Sequence, residues 1–355
     1  MDGTTVKHGD AGADARTSGR RDAGVDATTS PTEGGVDAGR DGACDAAFSS
    51  DPHNCGGCAR SCGAEDCVDA SCSPRVLVSG LPLNGALAID SENVYFLATT
   101  AVDSVPLDGG TVRELATGLA DLNYIAVDST QAYFSVEPAS GTGPVMGVAL
   151  TGGAAFTLAP SREQPNGVAV AGGKVYWAEQ WDGSVNGAVL SVPVGGGPPE
   201  VVVSGEVGPE QLAVDSVNVY FANWDWGGTT VVQSPESPGA AQTVATLHRP
   251  LGVAIDSSNV YFSSIGDGGT VNQVQKGGGA VLILAASPAA GTIASDGTNV
   301  YWSDFVLKTV QKVPVGGGSV VTVLSGLGKP LGIAVDGTSL YCVDVGSETI
   351  LRVNK

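Results

Sequence analysis

Histidine, basic residues and long apolar runs are all scarce in this 355-residue chain, and each scarcity excludes something. Only three histidines occur, and His248 is the sole one after His53. No GxSxG or HExxH motif is present, so two common hydrolase signatures are missing. Lys and Arg total 17 against 37 Asp and Glu, a formal net charge of −20. The excess is spread along the chain, with 13 acids against 6 bases in residues 1–74. So acidic a molecule is repelled by phosphate backbones, and nucleic acid is not an expected partner. No apolar run is long enough to span a bilayer as a helix, so no transmembrane segment is expected. Cysteine is nearly absent too: after Cys72 there is only Cys342. Glycine is the reverse case, with 52 residues, as many tight turns between short strands require.

The other six cysteines, Cys44, Cys55, Cys58, Cys62, Cys67 and Cys72, fall in one short stretch. An even, dense cluster in a segment too small to build a core reads as a disulfide framework formed in an oxidising space. The rival reading is a zinc site, because Cys55 and Cys58 form a CxxC; it has one nearby imidazole, His53, and no second CxxC. Six cysteines allow 15 pairings, and spacing does not choose among them. Residues 1–43 consist largely of Ala, Gly, Asp, Thr and Ser, too poor in apolar surface to offset chain entropy, and are expected to form a disordered linker. The oxidising compartment implies export, yet the first residues contain no apolar h-region. The expectation is a secreted, periplasmic or lipid-tethered surface protein whose signal peptide lies upstream of Met1.

Residues 75–355 carry a repeat. An Ala in a short apolar strand is followed seven residues later by a Tyr: Ala88/Tyr95, Ala126/Tyr133, Ala169/Tyr176, Ala213/Tyr220, Ala254/Tyr261, Ala294/Tyr301 and Ala334/Tyr341. The Tyr positions lie 38, 43, 44, 41, 40 and 40 residues apart. Short strands and Gly-rich turns at a period near 40 predict a β-propeller with four strands per blade. The last unit ends after its third strand, while Arg75-Val76-Leu77-Val78-Ser79-Gly80 is a spare outer strand before the first unit. Pairing the two closes the ring and removes both sheet edges. The fold class is therefore all-β: a seven-bladed propeller over 75–355, preceded by a cysteine-rich module over 44–74 and the linker.

The run from Ser50 to Cys58, SDPHNCGGC, resembles the Stig1-like cysteine-rich modules found ahead of repeat domains in exported myxobacterial proteins, and departs from their pattern at Ala59. Phrases such as GIAVDGTSLYCVD and GVAIDSSNVYFSS are similar to the NHL, YWTD and YVTN-type extracellular propellers. Those rings bind proteins, glycans or small molecules, and some are lyases, so the resemblance implies a scaffold without naming its ligand.

The Asp that closes each first strand (Asp90, Asp128, Asp215, Asp256, Asp296, Asp336) reads as hairpin-turn chemistry, with Ala171 in the third blade breaking any ring of metal ligands. Cys342 occupies an aromatic slot and reads as a small hydrophobe. Function is expected where the repeats disagree, on the loops of one face. The second-to-third-strand loops at 137–144, 179–187, 223–229 and 264–269 are long and hold Trp181, Trp224 and Trp226 with Glu137, Glu179, Asp182, Asp225 and Asp267. The blade-to-blade loops add Asn84, Asn123, Arg162, Glu163, Gln164, Asn166, Glu210, Gln211, His248, Arg249 and Lys329. Trp beside carboxylates and amides suits stacking on a sugar ring or a cation; alternatively the tryptophans cap blades and the charges are solvated. The leading expectation is a monomeric, non-catalytic scaffold without cofactor or metal that binds a protein or carbohydrate ligand. The alternative comes from resemblance to streptogramin-type lyases, rings that use a His and a Glu with a divalent metal. It would enlist His248 with Glu210 or Glu163, although no motif carries that pair over.

Overall fold

The computed structural model describes residues 67–68, 71–139, 141–180, 187–224, 229–236, 240–266 and 268–355, with side chains from Ser73 onward. The linker and Cys44, Cys55, Cys58 and Cys62 lie outside the described residues. Cys67 and Cys72 face each other as backbone partners in a two-strand hairpin, Cys67–Val68 with Ser71–Cys72, and their side chains also lie outside.

Seven four-stranded antiparallel sheets follow, as the repeat predicts. Their first strands are Leu83–Ile89, Leu122–Val127, Pro165–Ala171, Pro209–Val214, Pro250–Ile255, Ala290–Ser295 and Pro330–Val335, one for each of blades 1 to 7. The ring closes as expected. Arg75–Ser79 pairs antiparallel with Thr349–Asn354 and becomes the outer strand of blade 7. No described helix is long and apolar enough to cross a membrane.

The Ala-to-Tyr spacing has a simple cause. In every blade the two residues are direct cross-strand partners in the first hairpin, from Ala88↔Tyr95 to Ala334↔Tyr341. The Tyr points to one face of its sheet and the next residue to the other, because side chains alternate along a strand. Each Tyr thereby packs with the slot after the Tyr of the following blade: Tyr95 with Phe134, Tyr133 with Trp177, Tyr176 with Phe221, Tyr220 with Phe262, Tyr261 with Trp302 and Tyr301 with Cys342. Tyr341 meets Phe96 and closes the circle. The core is thus seven inter-blade layers, and Cys342 fills its slot as a buried thiol whose pKa burial pushes up.

The strand-closing Asp carboxylates are engaged as turn residues, and more than the sequence implies. One oxygen accepts the backbone N–H groups two and three residues on, as in Glu92 and Asn93 to Asp90 at 2.7 Å each. The other accepts the ladder Tyr hydroxyl five residues on, at 2.5 to 3.1 Å in six blades. Burial alone would raise these carboxyls. The hydrogen bonds outweigh it, so Asp128, Asp215, Asp256 and Asp336 fall below the usual range, and Asp296, which also meets Lys355, reaches about 2.

Blade 3 departs from this pattern instructively. Ala171 leaves Tyr176 without its carboxylate, and Glu236 of blade 4 brings one from the next sheet, its charge adding to burial in raising the Tyr176 pKa. Glu236 directly follows its third strand. At that position blades 5 and 7 carry Lys276 and Lys355, each 2.6 Å from the preceding blade's Asp215 or Asp296. Where this position is charged, its sign follows the preceding blade: Glu236 faces the blade without the Asp, and Lys276 and Lys355 face blades that have it. Leu107, Leu150, Val194 and Val315 hold it elsewhere.

Asp103 of blade 1 is a buried carboxylate opposite Glu114, with Oδ1 lacking a partner among the described residues. Burial first, then the Glu114 charge, lift its pKa to about 6. The folded state therefore holds the proton more tightly than the unfolded chain does, and this group costs stability increasingly as pH rises from about 4 through 6. Asp103→Asn is expected to stabilise the fold by roughly 1–2 kcal/mol at pH 8, with the difference vanishing near pH 4. Urea unfolding of both proteins at the two pH values checks this.

Candidate functional site at the loop-face end of the channel

The second-to-third-strand loops and the blade-to-blade loops do share one face. Backbone bonds tie them together in pairs: Thr99 N–H to Pro82, Glu137 to Asp121, Trp224 to Gly208, Ile265 to Arg249 and Val345 to Lys329. The first strands start on this face and line the axis. Their opening residues enclose a cavity of about 300 Å³ at that end of the channel.

Close approach around the axis demands small residues. A Cβ on Gly167 would lie 2.2 Å from the Glu210 carbonyl oxygen, and one on Gly332 2.3 Å from that of Gly85. Buried serines bridge neighbouring blades, with Ser263 Oγ donating to Gly291 O at 2.8 Å and Ser303 Oγ to Leu331 O at 2.7 Å.

The cavity wall is two-sided. Three residues before the ladder Ala, blades 2 and 4 present Asn123 and Glu210 to the cavity, with Asn166 of blade 3 buried behind Asn123, whereas blades 5, 6 and 7 present Leu251, Gly291 and Leu331. Blade 1 has one residue more between Leu83 and Leu87 and offers Asn84 beside Gly85. Packing around a pseudo-symmetric axis would favour one residue type at this position. The polar half is concentrated on blades 1 to 4 instead.

Those polar groups converge from far apart in sequence. Asn123 Nδ2 donates to Glu137 Oε2 and to Asn166 Oδ1, the latter at 3.1 Å. Asn84 Nδ2 donates to Leu122 O at 2.5 Å. Tyr124 occupies the slot that is Gly in blades 3, 5 and 7, and its side chain reaches past Gly167 to blade 4. Its hydroxyl lies 3.4 Å from both Glu210 Oε1 and Gln211 Nε2. Glu210 Oε2 is shut away from solvent and has no partner among the described residues. Burial chiefly, with the Glu137 charge adding and the Tyr124 bond opposing, raises the Glu210 carboxyl to about 7. Burial also raises Glu137.

The sequence-predicted residues distribute unevenly. Glu137 and Glu210 come together here, whereas Trp224 and Arg249 meet on the rim, the guanidinium 5.6 Å from the ring centroid. Glu179 departs from the sequence reading as a loop carboxylate facing ligand. It ends a strand, is buried, and accepts from Arg162 Nε at 2.5 Å and Trp177 Nε1 at 2.9 Å. Asp304 and Asp344 occupy the same repeat position and accept backbone N–H groups instead, Asp304 from Val306 and Leu307 of its turn and Asp344 from Gly328 and Lys329 of the adjoining blade-to-blade loop. Trp181, Asp182, Asp225, Trp226 and Asp267 lie outside the described residues. His248 is exposed and does not line the cavity, so it is not brought to Glu210 there. A divalent metal in the cavity would find the Glu210 carboxylate, with Glu137 behind Asn123, and no imidazole among the described lining residues. Among the described residues no three His, Cys, Asp or Glu side chains converge as ligands. Those residues do not fit the lyase-type metal site.

No protein-family model and no curated protein matches this chain. Solved structures do. Catalytically inactive virginiamycin B lyase from Staphylococcus aureus with quinupristin aligns over 80% of this chain and 98% of its own, at 14% identity and a TM-score of 0.66. A chain of the nidogen/laminin complex aligns over 64% of this chain and 90% of its own, at 18% identity and a TM-score of 0.52. The computationally designed Ika8 protein covers 79% and 98%, at 13% identity and a TM-score of 0.54. At such identities the likeness establishes the propeller fold alone.

Proposed function

We propose that this chain is an exported, non-catalytic propeller scaffold that holds a protein or glycan ligand on its long-loop face, centred on the channel mouth. The observation that carries the reading is the break in repeat symmetry three residues before the ladder Ala, where Asn123 and Glu210 oppose Leu251, Gly291 and Leu331. A concave site with one apolar and one polar wall suits recognition. The Trp224–Arg249 stack adds a rigid anchor beside it. The lyase reading needs an imidazole at the carboxylates, and His248 stands away from the cavity lining. A glycan array and a cell-envelope pull-down, run with wild type and a Trp181→Ala/Trp224→Ala/Trp226→Ala variant, test the proposal. Capture by wild type, reduced about tenfold or more in the variant, is expected. Equal capture by both, or none by either, removes the loop-face reading, and metal-dependent activity lost in His248→Ala would replace it with the lyase.

A further inference from the structure

The geometry points to a more specific ligand: the loop-face cavity binds a primary ammonium group on an apolar stem, the chemistry of a lysine side chain presented by a protein partner. This deepens the reading above and rests on it for the partner being a protein.

The head-group argument begins with Glu210. Its Oε2 is buried without a partner among the described residues, and its Oε1 has a long 3.4 Å contact with the Tyr124 hydroxyl. A buried carboxylate with open acceptor capacity is costly until a donor arrives. Behind Asn123, Glu137 adds a second acidic group, and amides of Asn84, Asn123 and Gln211 complete this side. No Lys, Arg or His among the described residues lines the cavity, so a cation is favoured over a neutral hydroxyl. The cation's shape follows from the same contacts. A guanidinium prefers two coplanar oxygens of one carboxylate, but Tyr124 stands at Oε1 and Oε2 is shut away, so Glu210 does not present that fork. A compact ammonium, with three donors around one nitrogen, suits acceptors spread over one carboxylate and the flanking amides of Asn84, Asn123 and Gln211.

The stem argument comes from the other wall. Leu87, Leu251, Leu331 and Phe305 give an apolar side to a cavity of about 300 Å³, room for a four-carbon chain. Beside Phe305 the turn exposes Val306 (60%) and Leu307 (48%) on the rim, apolar contact for the chain that carries the lysine.

The pH response has a definite sign. The titratable groups facing Glu210 are Glu137 and Tyr124, and burial drives the Tyr124 hydroxyl far above its ordinary value, so it stays neutral. With its carboxyl near 7, Glu210 is mostly protonated at pH 6 and ionised at pH 8. Binding of an ammonium therefore strengthens as pH rises.

Calorimetric titration of the full chain with Nα-acetyl-lysine amide, its Nε-acetyl derivative, Nα-acetyl-arginine amide and glucosamine tests the assignment. The lysine amide is expected to bind about tenfold tighter at pH 8 than at pH 6. Nε-acetylation should abolish binding. Glu210→Gln should weaken it about tenfold or more and erase the pH response, with the unfolding transition retained. If Glu210→Gln fails to fold, Glu137→Gln serves instead: it should move the midpoint of the pH response downward, because it removes the charge that helps raise Glu210. Equal binding of the Nε-acetyl derivative, undiminished binding by Glu210→Gln, an unmoved midpoint in Glu137→Gln, or tighter binding of the arginine amide or glucosamine each overturn the proposal. So does a wild type that does not bind the lysine amide. Ligand capture sensitive to the loop tryptophans would survive those results, which separates failure here from failure of the loop-face reading.

Discussion

Deletion of residues 75–80 is expected to destroy the cooperative fold. The segment supplies the outer strand of blade 7, and without it Thr349–Asn354 becomes an open edge that can pair with another molecule. The loss is also one of core. Leu77 and Val78 are buried in the layer that joins blade 7 to blade 1, beside Phe96, Tyr341 and Ile350. Burying two such side chains contributes roughly 3–6 kcal/mol, a large share of the 5–15 kcal/mol that typically holds a domain together. The truncated chain should elute as aggregate and show no sharp thermal transition. An unchanged melting temperature in a monomeric deletion variant would contradict ring closure by this strand.

A second large effect is expected from single methyl groups at the axis. Gly167→Ala and Gly332→Ala would each put a Cβ within 2.3 Å of a backbone carbonyl on the neighbouring blade, where no side chain can swing aside. One blade must move, at a cost of about 3 kcal/mol or more. Gly337, where an added methyl would meet nothing within 4 Å, supplies the control, and Gly337→Ala should be nearly neutral. Denaturant unfolding of the three variants decides it: similar midpoints for Gly332→Ala and Gly337→Ala would show that the first strands do not pack as closely as described.

The architecture was legible because it rests on repetition. One Ala-to-Tyr spacing encodes a hairpin pairing, and seven copies with a spare outer strand encode a closed ring. The site was legible only in part. Glu137 and Glu210 lie 73 positions apart and meet through the curvature of the ring, which no local pattern reports. Tyr124 is hard to single out in sequence because the Tyr repeated in every blade occupies a different slot. Its signal was a large side chain where blades 3, 5 and 7 have Gly. Glu179 misled for the opposite reason: a carboxylate at the start of a long loop looks free in sequence, yet Arg162 and Trp177 already hold it. The turn role of the aspartates is legible in sequence, but the bond of their second oxygen to Tyr depends on a five-residue spacing that alternation alone does not flag.

The central claim is that ligand is held on the loop face at the channel mouth, where the blades differ, and not on the face of repeated Asp turns. The most direct measurement compares ligand capture by wild type, an Asn123→Ala/Glu210→Gln variant at the mouth, and an Asp108→Ala/Glu92→Ala variant on the opposite face. The mouth variant should lose capture while the opposite-face variant keeps it. Loss in the opposite-face variant, with the mouth variant unaffected, would contradict the claim.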